Sequence, residues 1–284
     1  MSIEQVAVIG GGTMGNGISH VFAMNDITVH LVETSEELAQ EATSTIARNL
    51  DRMVKKKKID EAKKDKTLDA IKSFTNVGEA VSDADLVVEA VPENFELKKK
   101  IFAQVDEAAP SHAILATNTS SISITKIAAT TSRAEKFIGM HFFNPVPVMK
   151  LVEIVKGFET SDETFNLVEE TANKLGKTPV PVEDFPGFVS NRVLMPMINE
   201  AIQCVHEGVA TPENIDSVMK LGMAHPMGPL RLADFIGLDV CLDIMNVLHG
   251  GFKDSKYRPS PLLVKMVDAG KLGNKTGEGF YEYE

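Results

Sequence analysis

Residues Val6-Ala7-Val8-Ile9-Gly10-Gly11-Gly12-Thr13-Met14-Gly15-Asn16-Gly17 set a glycine-rich turn directly after an apolar strand and directly before an amphipathic segment. That context points to a dinucleotide. Gly10 permits the tight turn, Gly12 lets the backbone approach a pyrophosphate, and Gly15 allows close helix packing, so the new helix aims its free N–H groups at phosphate. A second strand, Ile27 to Val32, runs into Glu33, a carboxylate near the place where a ribose-binding acid is expected. Strand, helix and acid together favour this reading over a glycine turn of purely structural use.

Working outward, Ile18, Val21 and Phe22 recur at helical spacing, and Asn25-Asp26 break the pattern before the second strand. Glu36 to about Val54 reads as a long polar helix, followed by Lys55-Lys56-Lys57-Lys58 and a second charged helix near Glu61 to Ala70, a helical excursion over about 36–70. Strand-like runs then recur at Ile71 to Thr75, Leu86 to Ala90, Ile114 to Thr117 and Phe137 to Met140, with a helical stretch at Phe95 to Ala108. The alternation predicts an α/β fold, a Rossmann-like, doubly wound, mostly parallel sheet. Met149 to Val155 alternates as a strand, and a helix from Ser161 to Leu175 and a strand near Thr178 to Val182 complete this half.

From Pro186-Gly187 onward the pattern is helical: Phe188 to Glu207, Pro212 to Leu221, Leu230 to His249 and Pro261 to Ala269. The expected division is therefore a dinucleotide-binding domain over 1–185 and an all-helical C-terminal domain over 186–284. Apolar residues such as Val193, Met197, Ile198, Ile202 and Val205 fit either ordinary core packing or a face shared between subunits of an oligomer.

Composition narrows the function. The chain has 284 residues, 43% of them hydrophobic, enough for two domains with a sizeable core. A formal charge of −11 excludes an overall positive field for nucleic acid. Cys204 and Cys241 are too few for a structural zinc site or a disulfide framework, so no metal is expected and the compartment is read as reducing. No apolar run approaches the ~20 residues that span a bilayer, and no signal segment leads the chain, so a cytoplasmic protein without membrane partners is expected.

Removing a hydride from an alcohol leaves a proton, and histidine suits its uptake near neutral pH. His141, after the strand Phe137 to Met140, opens His-Phe-Phe-Asn-Pro-Val-Pro at a strand end, where open α/β sheets bind ligands. Glu153 lies in the next strand-like segment; pointed inward it needs a partner, and an imidazolium would serve. The alternative is a half-buried histidine and an exposed glutamate. Asn118-Thr119-Ser120-Ser121 fits either a substrate-oxygen site or a helix cap before Ile122. Asn191 fits either a donor to a substrate carbonyl or a backbone partner. Lys55 to Lys58, with Arg48 and Arg52, fit a solvated helix face or a clamp for a phosphorylated tail.

Taken together, Gly-Gly-Gly-Thr-Met-Gly at 10–15, Val-Glu-Ala-Val-Pro-Glu-Asn at 88–94, Asn-Thr-Ser-Ser at 118–121, His-Phe-Phe-Asn-Pro-Val-Pro-Val-Met-Lys-Leu-Val-Glu at 141–153, Pro-Gly-Phe-Val-Ser-Asn-Arg at 186–192 and Lys-Thr-Gly-Glu-Gly-Phe-Tyr at 275–281 carry a resemblance. Over its whole length the chain resembles the L-3-hydroxyacyl-CoA dehydrogenase family, and its length resembles the bacterial 3-hydroxybutyryl-CoA members. The resemblance implies oxidation of an (S)-3-hydroxyacyl-CoA, with the C4 compound as substrate. It implies that His141 is the catalytic base, Glu153 its acidic partner, and Ser120 and Asn191 contacts to the reacting oxygen. It also implies that Gly10, Gly12, Thr13, Met14, Gly15, Glu33, Glu93, Lys98, Asn118, Ser120, Asn144 and Lys275 hold NAD, with the carboxylate at 33 disfavouring a 2′-phosphate. Asn49, Arg52 and Lys56 match the family's contacts to the CoA tail, and a homodimer through the helical domain is implied. Related enzymes that oxidise free hydroxy acids, and lens crystallins of the same superfamily, are the rival readings; the retained Ser120, His141, Glu153 and Asn191 set argues against the crystallin one.

Overall fold

A computed structural model describes residues 2–283. The chain divides into two compact units, Met1–Asp184 and Phe185–Glu284. In the first unit the strands are β1 (Gln5–Ile9), β2 (Thr28–Val32), β3 (Ile71–Phe74), β4 (Leu86–Glu89), β5 (Ile114–Thr117), β6 (Phe137–Phe142), β7 (Leu151–Lys156) and β8 (Thr178–Glu183). They form one sheet in the order β3-β2-β1-β4-β5-β6-β7-β8. Neighbours run parallel except β6 and β7, which are antiparallel. The order reverses between β1 and β4, so a crevice opens beyond the carboxyl ends of those two strands, the usual ligand position in such sheets.

The central strands are buried runs such as Val6-Ala7-Val8-Ile9 and Leu86-Val87-Val88, as expected of a parallel sheet covered on both faces. The covering helices are α1 (Thr13–Met24), α2 (Glu36–Lys55), α3 (Glu61–Asp69), α4 (Val77–Val81), α5 (Phe95–Ala108), α6 (Ile124–Ala128) and α7 (Asp162–Lys174). α2 shows how the sequence sets a helix. Ser35 accepts from the Leu38 N–H, Glu36 and Glu37 occupy the first turn and Arg52 and Lys55 the last, and Ala39, Ala42, Ile46 and Leu50 make the buried stripe.

The second unit holds α8 (Ser190–His206), α9 (Pro212–Gly222), α10 (Pro229–Ile236), α11 (Leu238–Phe252) and α12 (Pro261–Asp268) around a core that includes Met195, Ile198, Ile202, Leu230, Leu238, Met245 and Leu248. Ile198 and Ile202 are thus core residues, while Val193 is exposed.

Two local readings are corrected. The expected single helix Leu230 to His249 is two helices, because Gly237 adopts φ +103° and the Leu238 N–H leaves the helical ladder to donate to Leu272 O. The strand expected to stop at Met140 continues to Phe142, where pairing with Val152 persists and the Phe142 N–H donates to Asn118 Oδ1 (2.9 Å). His141 therefore lies inside β6. The short helices α4 and α6, each started by a capping side chain, Asn76 and Ser123, are too brief to show a period in sequence.

Candidate active site

The glycine turn joins β1 to α1, and its geometry separates the three glycines. Gly10 has φ +95°, and a Cβ there would lie 2.9 Å from Ala90 O. A Cβ on Gly15 would lie 1.6 Å from Gly10 O, so helix and turn touch backbone to backbone. A Cβ on Gly12 would meet nothing within 4 Å. The space beside Gly12 is therefore a cradle into which the first N–H groups of α1, which no helical carbonyl can satisfy, are available to an anion.

Glu33 follows β2 and fixes this turn. Its Oε1 accepts from the Gly11 N–H (2.6 Å) and its Oε2 from the Thr34 N–H (3.0 Å). A cavity of about 740 Å³ opens here, lined by Gly10, Gly12, Thr13, Met14 and Glu33, and by Val91, Leu97 and Ile101 across the switch point. It is mostly apolar with a few convergent polar groups, the usual make-up of a cofactor cleft.

Beneath the crevice lies a buried ion pair that the sequence reading did not single out. Glu89, the last residue of β4, has no exposure, and Lys98 of α5 is 1% exposed. Lys98 Nζ donates to Glu89 Oε1 (2.6 Å) and to Val91 O (3.3 Å) and lies 3.4 Å from Glu93 Oε2. Thr117 Oγ1 and the Val91 N–H satisfy the rest of Glu89. Lys98 is thus engaged by the protein on three sides. A glutamate ending the apolar run Leu86-Val87-Val88 was the available signal.

Glu93 organises the next loop. Its Oε1 accepts from Thr119 Oγ1 (2.5 Å), the Ser120 and Ser121 N–H groups (both 3.0 Å) and Ser121 Oγ (2.9 Å). Burial pushes the Glu93 pKa up, but Lys98 and these hydrogen bonds outweigh it and hold the carboxyl below the usual carboxylate range. At the far end of the loop Asp184 accepts from Ser123 Oγ (2.7 Å) and the Ile124 (3.0 Å) and Thr125 (2.8 Å) N–H groups. Ser120 is therefore held between two anchored carboxylates, and Asn118 is fixed by its bond to Phe142.

His141 and Glu153 are register partners across β6 and β7. The His141 Nδ1–H donates to Glu153 Oε2 at 2.7 Å, with the residues 8% and 2% exposed. Phe143 lies against the imidazole, ring centroids 4.6 Å apart. A buried carboxylate holding one imidazole nitrogen fixes the tautomer and stabilises the imidazolium, which is what proton transfer to or from a substrate hydroxyl requires. Asn144 follows in the exposed turn after β6.

The remaining sites are local to their elements. Asn49, Arg52 and Lys56 fall three and four residues apart on one face at the end of α2, Arg52 Nη1 donating to Asn49 Oδ1 (3.4 Å). In the helical unit Asn191 is buried in the first turn of α8, its N–H donating to Gly187 O (3.1 Å). Lys275 Nζ donates to Asp239 Oδ2 (2.5 Å). Among the described residues there is no group of histidine, cysteine or carboxylate side chains placed to hold a metal ion, and no helix long and apolar enough to cross a membrane.

Comparison with known proteins follows the same division. Residues 5–185 match the family described as 3-hydroxyacyl-CoA dehydrogenase, NAD binding domain, and residues 187–283 match 3-hydroxyacyl-CoA dehydrogenase, C-terminal domain. The chain is 53% identical to a 3-hydroxybutyryl-CoA dehydrogenase of Bradyrhizobium diazoefficiens, over 99% of this chain and 96% of that one. It is 50% identical to the 3-hydroxybutyryl-CoA dehydrogenase of Clostridioides difficile, over 98% and 99%. The crystal structure of (S)-3-hydroxybutyryl-CoA dehydrogenase from Ralstonia eutropha superposes with a TM-score of 0.97 at 52% identity, covering 100% of both chains.

Proposed function

The chain belongs to the 3-hydroxyacyl-CoA dehydrogenase family and is an NAD-dependent oxidoreductase, and from that premise we propose a reaction and a set of residues that perform it. The reaction is the reversible oxidation of (S)-3-hydroxybutyryl-CoA to acetoacetyl-CoA. The observation that carries the residue assignment is the buried His141 to Glu153 hydrogen bond at 2.7 Å, in the same unit as the glycine turn.

The residues fit NAD: the open cradle at Gly12 takes a pyrophosphate, and the carboxylate of Glu33 suits a ribose diol and repels a 2′-phosphate. When bound, NAD supplies the hydride acceptor. His141, its Nδ1 committed to Glu153, takes the hydroxyl proton on Nε2 in the oxidative direction and returns it to the developing alkoxide in the reverse one. Ser120 is assigned to donate to that oxygen and comes to the task on a loop already fixed by Glu93 and Asp184, and Asn191 is assigned as a second donor from the family match alone. Glu93, Asn118, Asn144 and Lys275 are assigned to the cofactor from the family match, and Lys98 to holding Glu93 in place. Asn49, Arg52 and Lys56 are assigned to the CoA phosphates.

The helical unit exposes Val218, Leu221, Met223 and Phe235, and Leu221 is 87% exposed, so we assign these apolar side chains to a homodimer interface. Cys204 and Cys241 are free thiols, in keeping with the cytoplasm.

The deciding experiment is loss of nicotinamide absorbance when acetoacetyl-CoA is added to purified protein and NADH. Absorbance that stays constant overturns the assignment. Turnover that rises from C4 to C16 ketoacyl-CoA overturns the C4 preference alone.

A further inference from the structure

Lys177, in the turn between α7 and β8, is only 8% exposed, and its ammonium meets backbone carbonyls. Nζ donates to Val146 O and to Met149 O, the latter at 2.8 Å. Those carbonyls belong to a single helical turn, in which the Val148 and Met149 N–H groups both donate to Pro145 O at 2.9 Å. Carbonyls at the end of such a turn lack partners in the chain ahead of them, and a cation there satisfies them.

The turn is attached on every side to the candidate site. Before it come Asn144 and β6 with His141; after it come β7 and Glu153, with Lys150 O accepting from the Thr178 N–H (2.7 Å) beside Lys177. Val146, 2% exposed, presses on α1. A Cβ on Gly17 would lie 2.8 Å from Val146 Cβ and 3.6 Å from Pro147 Cδ. Gly17, the last glycine of the opening motif, is where the turn seats on α1, little more than one turn beyond the N-terminus that faces the pyrophosphate cradle.

We propose that Lys177 is a positioning residue for the cofactor site: it fastens the 145–149 turn to α1 and so sets Asn144 relative to the glycine turn. The proposal rests on reading Asn144 as a cofactor contact. A buried ammonium is costly unless hydrogen-bonded, and burial holds the Lys177 pKa below the usual lysine range. A methionine fills the same space but leaves the two carbonyls without a donor.

The test uses full-length Lys177→Met, Lys177→Gln and Asn144→Ala, and the double variant Lys177→Met with Asn144→Ala. The NADH dissociation constant is read by fluorescence titration without any acyl-CoA, well below each variant's Tm. Lys177→Met is expected to weaken NADH about tenfold, the scale of a lost buried hydrogen-bond partner. Lys177→Gln, which keeps N–H donors, recovers part of that loss, and the double variant is no weaker than the poorer single one. If the methionine variant does not fold, the glutamine variant is read by the same criterion of weakened NADH. Wild-type NADH affinity in the Lys177 variants with only a lower Tm, or losses that multiply in the double variant, overturns the proposal. Asn144→Ala with unchanged affinity also overturns it, by removing the residue through which Lys177 acts. Failure of the substrate assignment appears only in the acetoacetyl-CoA assay and leaves this titration readable.

Discussion

His141 and Glu153 face each other directly across antiparallel strands, joined by a hydrogen bond of 2.7 Å and nearly closed to solvent. Only the antiparallel pairing of β6 with β7 makes residues twelve apart in sequence into register partners. Because the carboxylate fixes the imidazole, His141→Ala is expected to lower kcat by about 10²-fold or more with NADH binding retained. Glu153→Gln keeps a hydrogen-bond acceptor but loses the charge, and should give a smaller loss with a shifted pH profile. Turnover equal to wild type in His141→Ala would remove the assignment.

The glycines of the turn separate stability from binding. Gly15→Ala puts a methyl 1.6 Å from Gly10 O, so the turn must open; a lower Tm and loss of NADH binding are expected together. Gly12→Ala meets nothing in the protein within 4 Å, so the Tm without cofactor should barely move while NADH affinity falls. Thermal scans and NADH titrations on both variants check this. Full affinity in Gly12→Ala would take the pyrophosphate away from the turn.

Glu33 carries two duties, since its oxygens already accept from the Gly11 and Thr34 N–H groups. Glu33→Ala should therefore weaken NADH by about tenfold or more, in line with losing charge-assisted bonds, and narrow the preference for NADH over NADPH. Parallel titrations with the two cofactors decide. A preference that does not change takes Glu33 out of the ribose role.

What was legible in the sequence follows from the range of the signals. The glycine turn, the buried strands and α2 are local patterns, and the α/β alternation gave the mostly parallel sheet. Long-range events left no such trace. The extension of β6 past Met140 depends on Asn118, 24 residues earlier, and the break at Gly237 depends on Leu272. The Glu89 and Lys98 pair needed two elements to be packed together before its charges could be seen to cancel. Lys177 looks like any surface lysine until the 145–149 turn folds over it.

His20 gives the pH dependence of stability. On α1 it has no exposure, and its Nε2 lies 3.0 Å from Met24 Sδ. Burial first, and then the charge of Lys177, lower its pKa from the usual 6.5 to about 4. Between those values the unfolded chain binds the proton and the folded one does not, so stability rises with pH there. The contribution is complete above 6.5, falls as the pH drops toward 4, and amounts to roughly 3 kcal/mol at most. Glu93, held below the usual 4.5, adds its own acid sensitivity only at lower pH, so the interval from 6.5 to 4.5 is where removing His20 changes the slope. Urea midpoints measured as the pH drops across that interval should fall more steeply for the wild type than for His20→Gln. Equal slopes in the two proteins would mean that His20 is not held neutral inside α1.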